Sequence, residues 1–236
     1  MIDIHSHPLY GVDDGPKAMR ESIQMLRLAK WQGITAIIAT PHYRKGMFSY
    51  PNEEVERHYR KLKEIGKDMG VAVYLGTEYH VDNSVIENLR SGRCKTLAGS
   101  DYVLAEYRRS TEYFYIRESV QRLILNGYIP IIAHCERYQA LRGGMDHIQN
   151  LKEMGAMIQV NADAVLGNRG FRTKWYVRKL LKEELVDFVA SDSHGAKQRV
   201  NNLGKCRDYL YKKYNRNYVD KILERNAEAI LRRAKS

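Results

Sequence analysis

Short apolar runs rich in β-branched residues alternate along this chain with longer stretches whose apolar positions recur at helical spacing. Seven such runs, at residues 2–5, 34–40, 71–78, 102–106, 129–134, 157–161 and 186–192, predict strands buried on both faces, as in a parallel sheet. The intervening segments carry helical periods, for example Met19, Ile23 and Leu26 in the first and Val55, Tyr59, Leu62 and Met69 in the second. Gly33, Gly70, Gly127 and Gly155 each stand just before the next strand, where a left-handed helix C-cap is expected. The order is therefore β then α, repeated, which predicts a closed or nearly closed parallel barrel with right-handed connections. Residues from about 202 to 214 and from about 218 to 234 read as terminal helices, the second amphipathic through Val219, Ile222, Ala227 and Ile230.

A chain of 236 residues is expected to form one domain over residues 1–236, since domains of this class run to roughly 250 residues. No stretch approaches the roughly 20 apolar residues of a bilayer span, and the opening MIDIHSHPLYG lacks the pattern of a signal peptide. A soluble cytoplasmic protein is expected, with no membrane insertion. Cys94, Cys135 and Cys206 are odd in number and widely spaced, which predicts reduced thiols rather than a disulfide framework or a zinc knuckle. The formal charge of +11 favours an acidic partner: nucleic acid, an anionic membrane surface, or a phosphorylated or acidic protein segment. The bland reading of each basic cluster is a solvated helix face.

Chemistry changes the picture most. The predicted strands end in metal-type ligands: His5 and His7, His42, Glu78, Glu106, His134, and Asp192 with His194. The C-terminal ends of barrel strands converge on one face, so these side chains can meet across the mouth. His5 and His7 project to one side of an extended segment, and Asp192 and His194 repeat the arrangement in SDSH. Glu78 and Glu106 close apolar strands, where an unpaired carboxylate is costly to bury, so a cation or a basic partner is required. For Glu106 the competing partners are Arg108 and Arg109. His134 reads alternatively as a satisfied core histidine, His58 and His147 as exposed helix residues, and His80 as a residue lining the mouth.

Mixed imidazole and carboxylate donors suit Zn, Mn or Fe. The set exceeds what one ion can use, so two or three ions are implied, about 3.5–4 Å apart if bridged. Such a cluster makes hydroxide at neutral pH and neutralises phosphoryl charge, which points to hydrolysis of a phosphate ester. Arg137, just past His134, and Arg199, just past His194, stand where they could grip phosphate oxygens, although either could form only a salt bridge. No cysteine is followed by arginine at the spacing of a cysteine-based phosphatase, and no GxxxxGK[ST] loop occurs.

The succession HSH, DDGP, PHYRKGMF, GTE, AE, AHCERY, QVNA and ASDSH resembles the PHP (polymerase and histidinol phosphatase) superfamily. More closely, it resembles the metal-dependent protein-tyrosine phosphatases of capsule and exopolysaccharide operons in Gram-positive bacteria, the CpsB/YwqE type. The likeness runs the length of the chain, and VDDGP, RKGMF and HCERY are its branch-specific parts. The resemblance implies an α/β fold, a distorted TIM-like (β/α)7 barrel, with up to three divalent metal ions, manganese foremost. It implies that His5, His7, Glu78 and Asp192 hold the first ion and that Glu78 bridges to a second held with Glu106 and His134. Asp14, His42 and His194 would take the third, with Asp13 competing for the role of Asp14. Arg137 and Arg199 would bind phosphate.

The implied substrate is phosphotyrosine on the tail of a bacterial tyrosine kinase, and Arg44, Lys45, Arg108, Arg109, Arg169 and Arg172 are candidates for a basic rim that attracts it. The stretch YRRSTEYFY and Cys135 within HCERY depart from the family pattern and bear on the rim's peptide preference. Two other functions compete: a small-molecule phosphatase such as histidinol phosphatase, and a non-hydrolytic phosphopeptide or nucleic-acid binding protein. Nucleic-acid processing would need a polymerase partner for which this chain has no room.

Overall fold

The computed structural model describes residues 1–234. Nine strands form: β1 (Ile2–Ser6), β2 (Ala36–Ala39), β3 (His42–Tyr43), β4 (Ala72–Leu75), β5 (Glu78–His80), β6 (Tyr102–Glu106), β7 (Ile129–Ile132), β8 (Met157–Asn161) and β9 (Phe188–Ala190). Each of the seven expected runs holds a strand, and the second and third each lead past a break into a short additional strand that was not expected. The run at 34–40 yields β2, and its continuation beyond Thr40 and Pro41 yields β3. The run at 71–78 splits into β4 and β5 at Gly76 and Thr77. Pro41 has no N–H to give to a ladder. A Cβ on Gly76 would lie 2.7 Å from Leu97 Cδ2, so the backbone there runs hard against the segment that precedes β6.

All pairings between these strands are parallel, in the orders β1-β2-β4 and β3-β5-β6-β7-β8-β9. The two sheets meet where the Asp192 N–H donates to the His5 carbonyl and the His7 N–H to the Ser193 carbonyl, each at 2.8 Å, which brings the last strand beside the first. The helices are α1 (Met19–Trp31), α2 (Asn52–Met69), α3 (Val85–Arg90), α4 (Tyr113–Leu125), α5 (Gln139–Arg142), α6 (Asp146–Glu153), α7 (Ala162–Leu166), α8 (Phe171–Lys182), α9 (Leu203–Tyr211), α10 (Arg216–Asp220) and α11 (Asn226–Arg232). A π-helical turn at Lys221–Arg225 joins the last two, so the expected final helix is present with a widened middle.

Strand alternation sorts the core into two layers. Ile2, Ile4, Ile38, Leu104, Ile131 and Phe188 fill the interior of the curled sheet, together with Ala227 and Ile230 of α11. The intervening residues, such as Ile37, Val73, Val103, Ile132 and Val160, face outward onto Leu26 of α1, Leu62 of α2 and Leu123 of α4.

One irregularity sets up the site. In β1, Asp3 pairs with Ile37 and Ser6 with Ala39, so three steps on one strand oppose two on the other, a β-bulge. Strict alternation would send His5 outward after Ile4. The bulge instead leaves Ile4 in the interior cluster while His5 also turns inward to Gln159 of β8. Asp3 stays outside, bonded to Ser191 and Asn201.

The expectation of an exposed His58 is corrected. The residue is buried, its ring stacked on Tyr10 at 3.8 Å with Nδ1–H donating to the Tyr10 carbonyl at 2.8 Å. The face of α2 that carries His58 packs under the loop between β1 and α1. His147 is likewise half-buried, stacked on Tyr113 at 3.7 Å.

Candidate metal centre

The ligand-type residues at the strand ends do meet at one mouth. Glu78, wholly buried at the start of β5, stands at the centre. Its Oε2 lies 3.0 Å from His5 Nε2, 3.1 Å from His7 Nε2 and 3.1 Å from His42 Nδ1, while Oε1 lies 2.7 Å from His134 Nε2. His5, His7, Glu78 and Asp192 present donor atoms within 4.8 Å of one another, as do His7, Asp14, His42 and His194, and as do His42, Glu78 and Glu106. His42 therefore stands with Glu78 and Glu106, and His7 with the Asp14 group, in addition to the partners the resemblance gave them. His134 reaches both carboxylates of its implied set, at 2.7 Å from Glu78 and 3.7 Å from Glu106.

These donors fit cations better than they fit each other. Glu78 Oε2, despite three imidazole nitrogens within 3.1 Å, accepts a properly directed hydrogen bond from none of them, and His194 Nε2 is likewise buried without a hydrogen-bond partner. His5 Nε2 and His7 Nε2 point at the same space only 3.3 Å apart. Buried polar atoms left in this way are costly, and divalent ions held by nitrogen and oxygen donors would satisfy them.

The rear nitrogens of the imidazoles are fixed by neighbours that sequence reasoning did not assign. His7 Nδ1–H donates to Asp13 Oδ2 at 2.8 Å, and the same oxygen accepts from the His42 backbone N–H at 3.1 Å. Asp13 thus orients two imidazole-bearing residues from behind, while Asp14 faces His42, His194 and Arg199. His5 Nδ1–H donates to Gln159 Oε1 at 3.2 Å, and that oxygen also accepts from the His134 N–H at 2.7 Å. The Tyr138 hydroxyl stands 3.2 Å from His134 Nδ1, and His194 Nδ1–H donates to the Asp192 carbonyl at 3.0 Å. Asn161 Nδ2–H donates to Asp192 Oδ2 at 2.8 Å. The available signal was QVNA itself: Gln159 and Asn161 are amides on the inward positions of an otherwise apolar strand, where they must find partners.

Electrostatics follow from crowding. Burial opposes a charge on Glu78, but His5 and His42 hold its carboxyl well below the usual range. Burial likewise opposes ionised Asp192, which Arg137 and His5 keep well below that range. His7 is pushed up to about 10: burial works against its charge, and Asp13 and Glu78 overcome it. Burial and the charge of His7 press His194 down to about 4, and burial with Arg137 lowers His134.

Backbone geometry is unusual at the same places. His134, Asp192 and Arg199 all have positive φ, at 32°, 51° and 47°. Non-glycine residues held in this region cost of order 1–3 kcal/mol each and gather at functional sites. The turn after β7 places the His134 side chain in the site while Cys135 enters the outer core. Arg137 pairs with Asp192, and Arg199 reaches Asp14 at 2.9 Å and Asp192 at 3.4 Å.

The centre opens outward through Asp14, whose side chain is 44% exposed, while Glu106 and His42 are partly covered. His80 Nδ1 lies 3.3 Å from Glu106 and lines a cavity of about 600 Å³ with Arg44, Lys45 and Arg108. Arg109 and Arg169 line another, of about 380 Å³, with Arg137. Arg172 lies elsewhere, on the exposed face of α8.

Comparison with known proteins agrees with this architecture. The chain is 33% identical to the tyrosine-protein phosphatase CpsB of Streptococcus pneumoniae, with 98% of both chains covered. It is 33% identical to the tyrosine-protein phosphatase YwqE of Bacillus subtilis, covering 98% of this chain and 92% of that one. A crystal structure from work on these two proteins, described as unique metal-dependent tyrosine phosphatases, superposes with a TM-score of 0.92 at 32% identity, over 100% of this chain and 96% of that chain. The family model for capsular polysaccharide synthesis proteins CpsB/CapC matches residues 1–232, and with these likenesses it establishes that the chain belongs to the CpsB/CapC family.

Proposed function

We propose that this protein is a metal-dependent protein-tyrosine phosphatase of capsule or exopolysaccharide synthesis, acting on phosphotyrosines in the C-terminal tail of a tyrosine kinase. The carrying observation is the set of overlapping donor groups that share Glu78, with two arginines converging on Asp192 at its edge. The reading takes His5, His7, Glu78 and Asp192 as one ion's ligands, Glu78, Glu106 and His134 as another's, and Asp14, His42 and His194 as a third's. Two to three divalent ions are implied, with Mn preferred and Fe, Zn or Mg as alternatives. Bound there, the ions supply a nucleophilic water at neutral pH and offset phosphoryl charge.

The chain's own residues do the remaining work. Asp13 and Gln159 lock His7 and His5 so that their Nε2 atoms face the centre. Arg137 and Arg199 flank Asp192 and would turn donors to the phosphoryl oxygens, holding the group for in-line attack. A tyrosinate leaves readily, with a pKa of about 10, so little general-acid help is required. The open side at Asp14 admits a side chain presented by an extended tail, and Arg44, Lys45, Arg108, Arg109 and Arg169 give its approach a positive field. Three buried free cysteines are consistent with a cytoplasmic setting.

The test is turnover of phosphotyrosine peptides and of histidinol phosphate after metal stripping and readdition of Mn, Zn, Fe or Mg. The reading expects restored hydrolysis of the peptides by a divalent ion and a wide preference for them. A preference for histidinol phosphate, or turnover indifferent to stripping, would overturn it.

A further inference from the structure

Helix α8 has an outer face on which large aromatic rings stand among cations along the whole length of the helix. Its buried positions, Thr173, Tyr176, Val177, Leu180 and Leu181, lie on the side that packs on the barrel. Its six exposed positions are Phe171, Arg172, Trp175, Arg178, Lys179 and Lys182, two aromatics and four cations without a carboxylate. Glu183 and Glu184 come only after the helix has ended. The contrast is α2, where Glu53, Glu54, Glu56, Glu64 and Asp68 offset the arginines and lysines along its length, the usual composition of a solvated face.

The aromatics are not there for the core. Phe171 is 82% exposed and Trp175, one turn on, is 52% exposed. Lys179 Nζ lies 3.7 Å from the centroid of the Trp175 ring. Beside them a cavity of about 480 Å³ is floored by Tyr209 and Tyr214 and edged by Lys213, again with no acidic side chain in its lining. Large amphipathic rings interleaved with lysine and arginine are the composition that settles at the headgroup level of an anionic bilayer, the rings entering the interface and the cations meeting phosphate. A soluble acidic partner would be served by the cations alone and gives no reason to leave a phenylalanine four-fifths in water.

We propose that the outer face of α8, with the adjoining Tyr209, Lys213 and Tyr214 cavity, is a peripheral docking surface for an anionic phospholipid membrane. No helix among the described residues is long and apolar enough to cross a bilayer, so attachment is by surface contact. Docking also orients the molecule. The first turn of α8 adjoins the barrel mouth, since Thr173 accepts a hydrogen bond from Arg142 at 2.9 Å and both line the cavity that holds Arg137. The docked protein presents its candidate metal centre at the rim of the membrane, to substrates tethered there.

The experiment is co-sedimentation with vesicles of phosphatidylcholine alone or mixed with phosphatidylglycerol, at low and at physiological salt. Binding is expected only to the anionic vesicles and is expected to weaken with salt. Lys179→Glu/Lys182→Glu should weaken it roughly 30-fold or more. Arg60→Glu/Lys61→Glu on α2, the same change in net charge at exposed sites, should leave most of it. Phe171→Ser/Trp175→Ser should also weaken it, and in a Trp31→Phe background the Trp175 emission should shift to the blue on binding. Unchanged circular dichroism and melting would show that these surface variants fold. Absence of binding at low salt, equal losses from the two charge reversals, no effect of removing the aromatics, or an unshifted emission would each overturn the proposal. So would retention by an acidic peptide without vesicle binding, which would assign the face to a protein partner.

Discussion

Asp13 Oδ2 sits 2.8 Å from His7 Nδ1, behind the imidazole rather than in front of it. With the metals in place, loss of this contact frees the ring to rotate and lowers its basicity. Asp13→Ala should weaken metal activation roughly 10- to 100-fold while leaving the protein folded. Activity titrated against Mn at fixed protein would show a right-shifted curve with a recoverable plateau. An unshifted curve would remove Asp13 from its orienting role.

Asp192 touches both arginines and faces His5 and His7, so its loss should disturb ion and phosphate together. Asp192→Ala and His134→Ala should each lower turnover by at least about 100-fold. Metal analysis and circular dichroism of the same samples are the check. A folded variant of either kind that retains turnover would contradict the ligand assignment.

Arg137→Ala and Arg199→Ala should separate from those variants. A charge-assisted hydrogen bond is worth about 1.5–3 kcal/mol, so KM for phosphotyrosine peptides and inhibition by inorganic phosphate should weaken about 10- to 100-fold. Metal content should hold. Unaltered phosphate inhibition would limit the arginines to their salt bridges.

Metal binding should release protons. His7 is raised to about 10 in the metal-free protein, so it carries a proton at neutral pH that an ion must displace. Because the folded value lies above the ordinary one, this group's contribution to stability is complete below about pH 6.5 and is lost as pH rises through about 10. Calorimetric titration with Mn in buffers of different ionisation enthalpy should give heats that scale with the buffer. Buffer-independent heats would show that His7 is already deprotonated.

The thiols should be silent. Burial raises the pKa of Cys94, Cys135 and Cys206. Native protein should resist alkylation by iodoacetamide and keep its activity, whereas denatured protein should take up the label at all three. Rapid native labelling accompanied by loss of turnover would implicate a cysteine in catalysis.

The ligands were legible because each breaks an apolar run with a charged or imidazole side chain, and burial of such a group demands a partner. The strand order was legible for the complementary reason, that β-branched runs alternate with helical periods. What escaped was whatever depended on three-dimensional neighbours. Asp13 and Asp14 are adjacent in DDGP, and only the fold assigns one to the back of His7 and the other to the open side. His58 lies in a strongly charged helix, yet the loop around Tyr10 covers it. Pro41 and Gly76 each mark a local break, but nothing in either stretch announces that the two breaks match and carry His42 alongside Glu78 in the next pair of strands.

The bulge in β1 has a consequence for the chain as an inherited object. Because Asp3 and Ser6 span one residue more than Ile37 and Ala39, Ile4 and His5 can both face inward, the one into the apolar interior and the other toward Gln159. Deleting Ile4 would restore plain alternation, with Asp3 outside and His5 and His7 still inside, but it would empty the place that Ile4 fills in the apolar interior. Length at this point is thus under tighter restraint than residue identity: Ile4 can be exchanged for another apolar side chain, but it cannot be omitted.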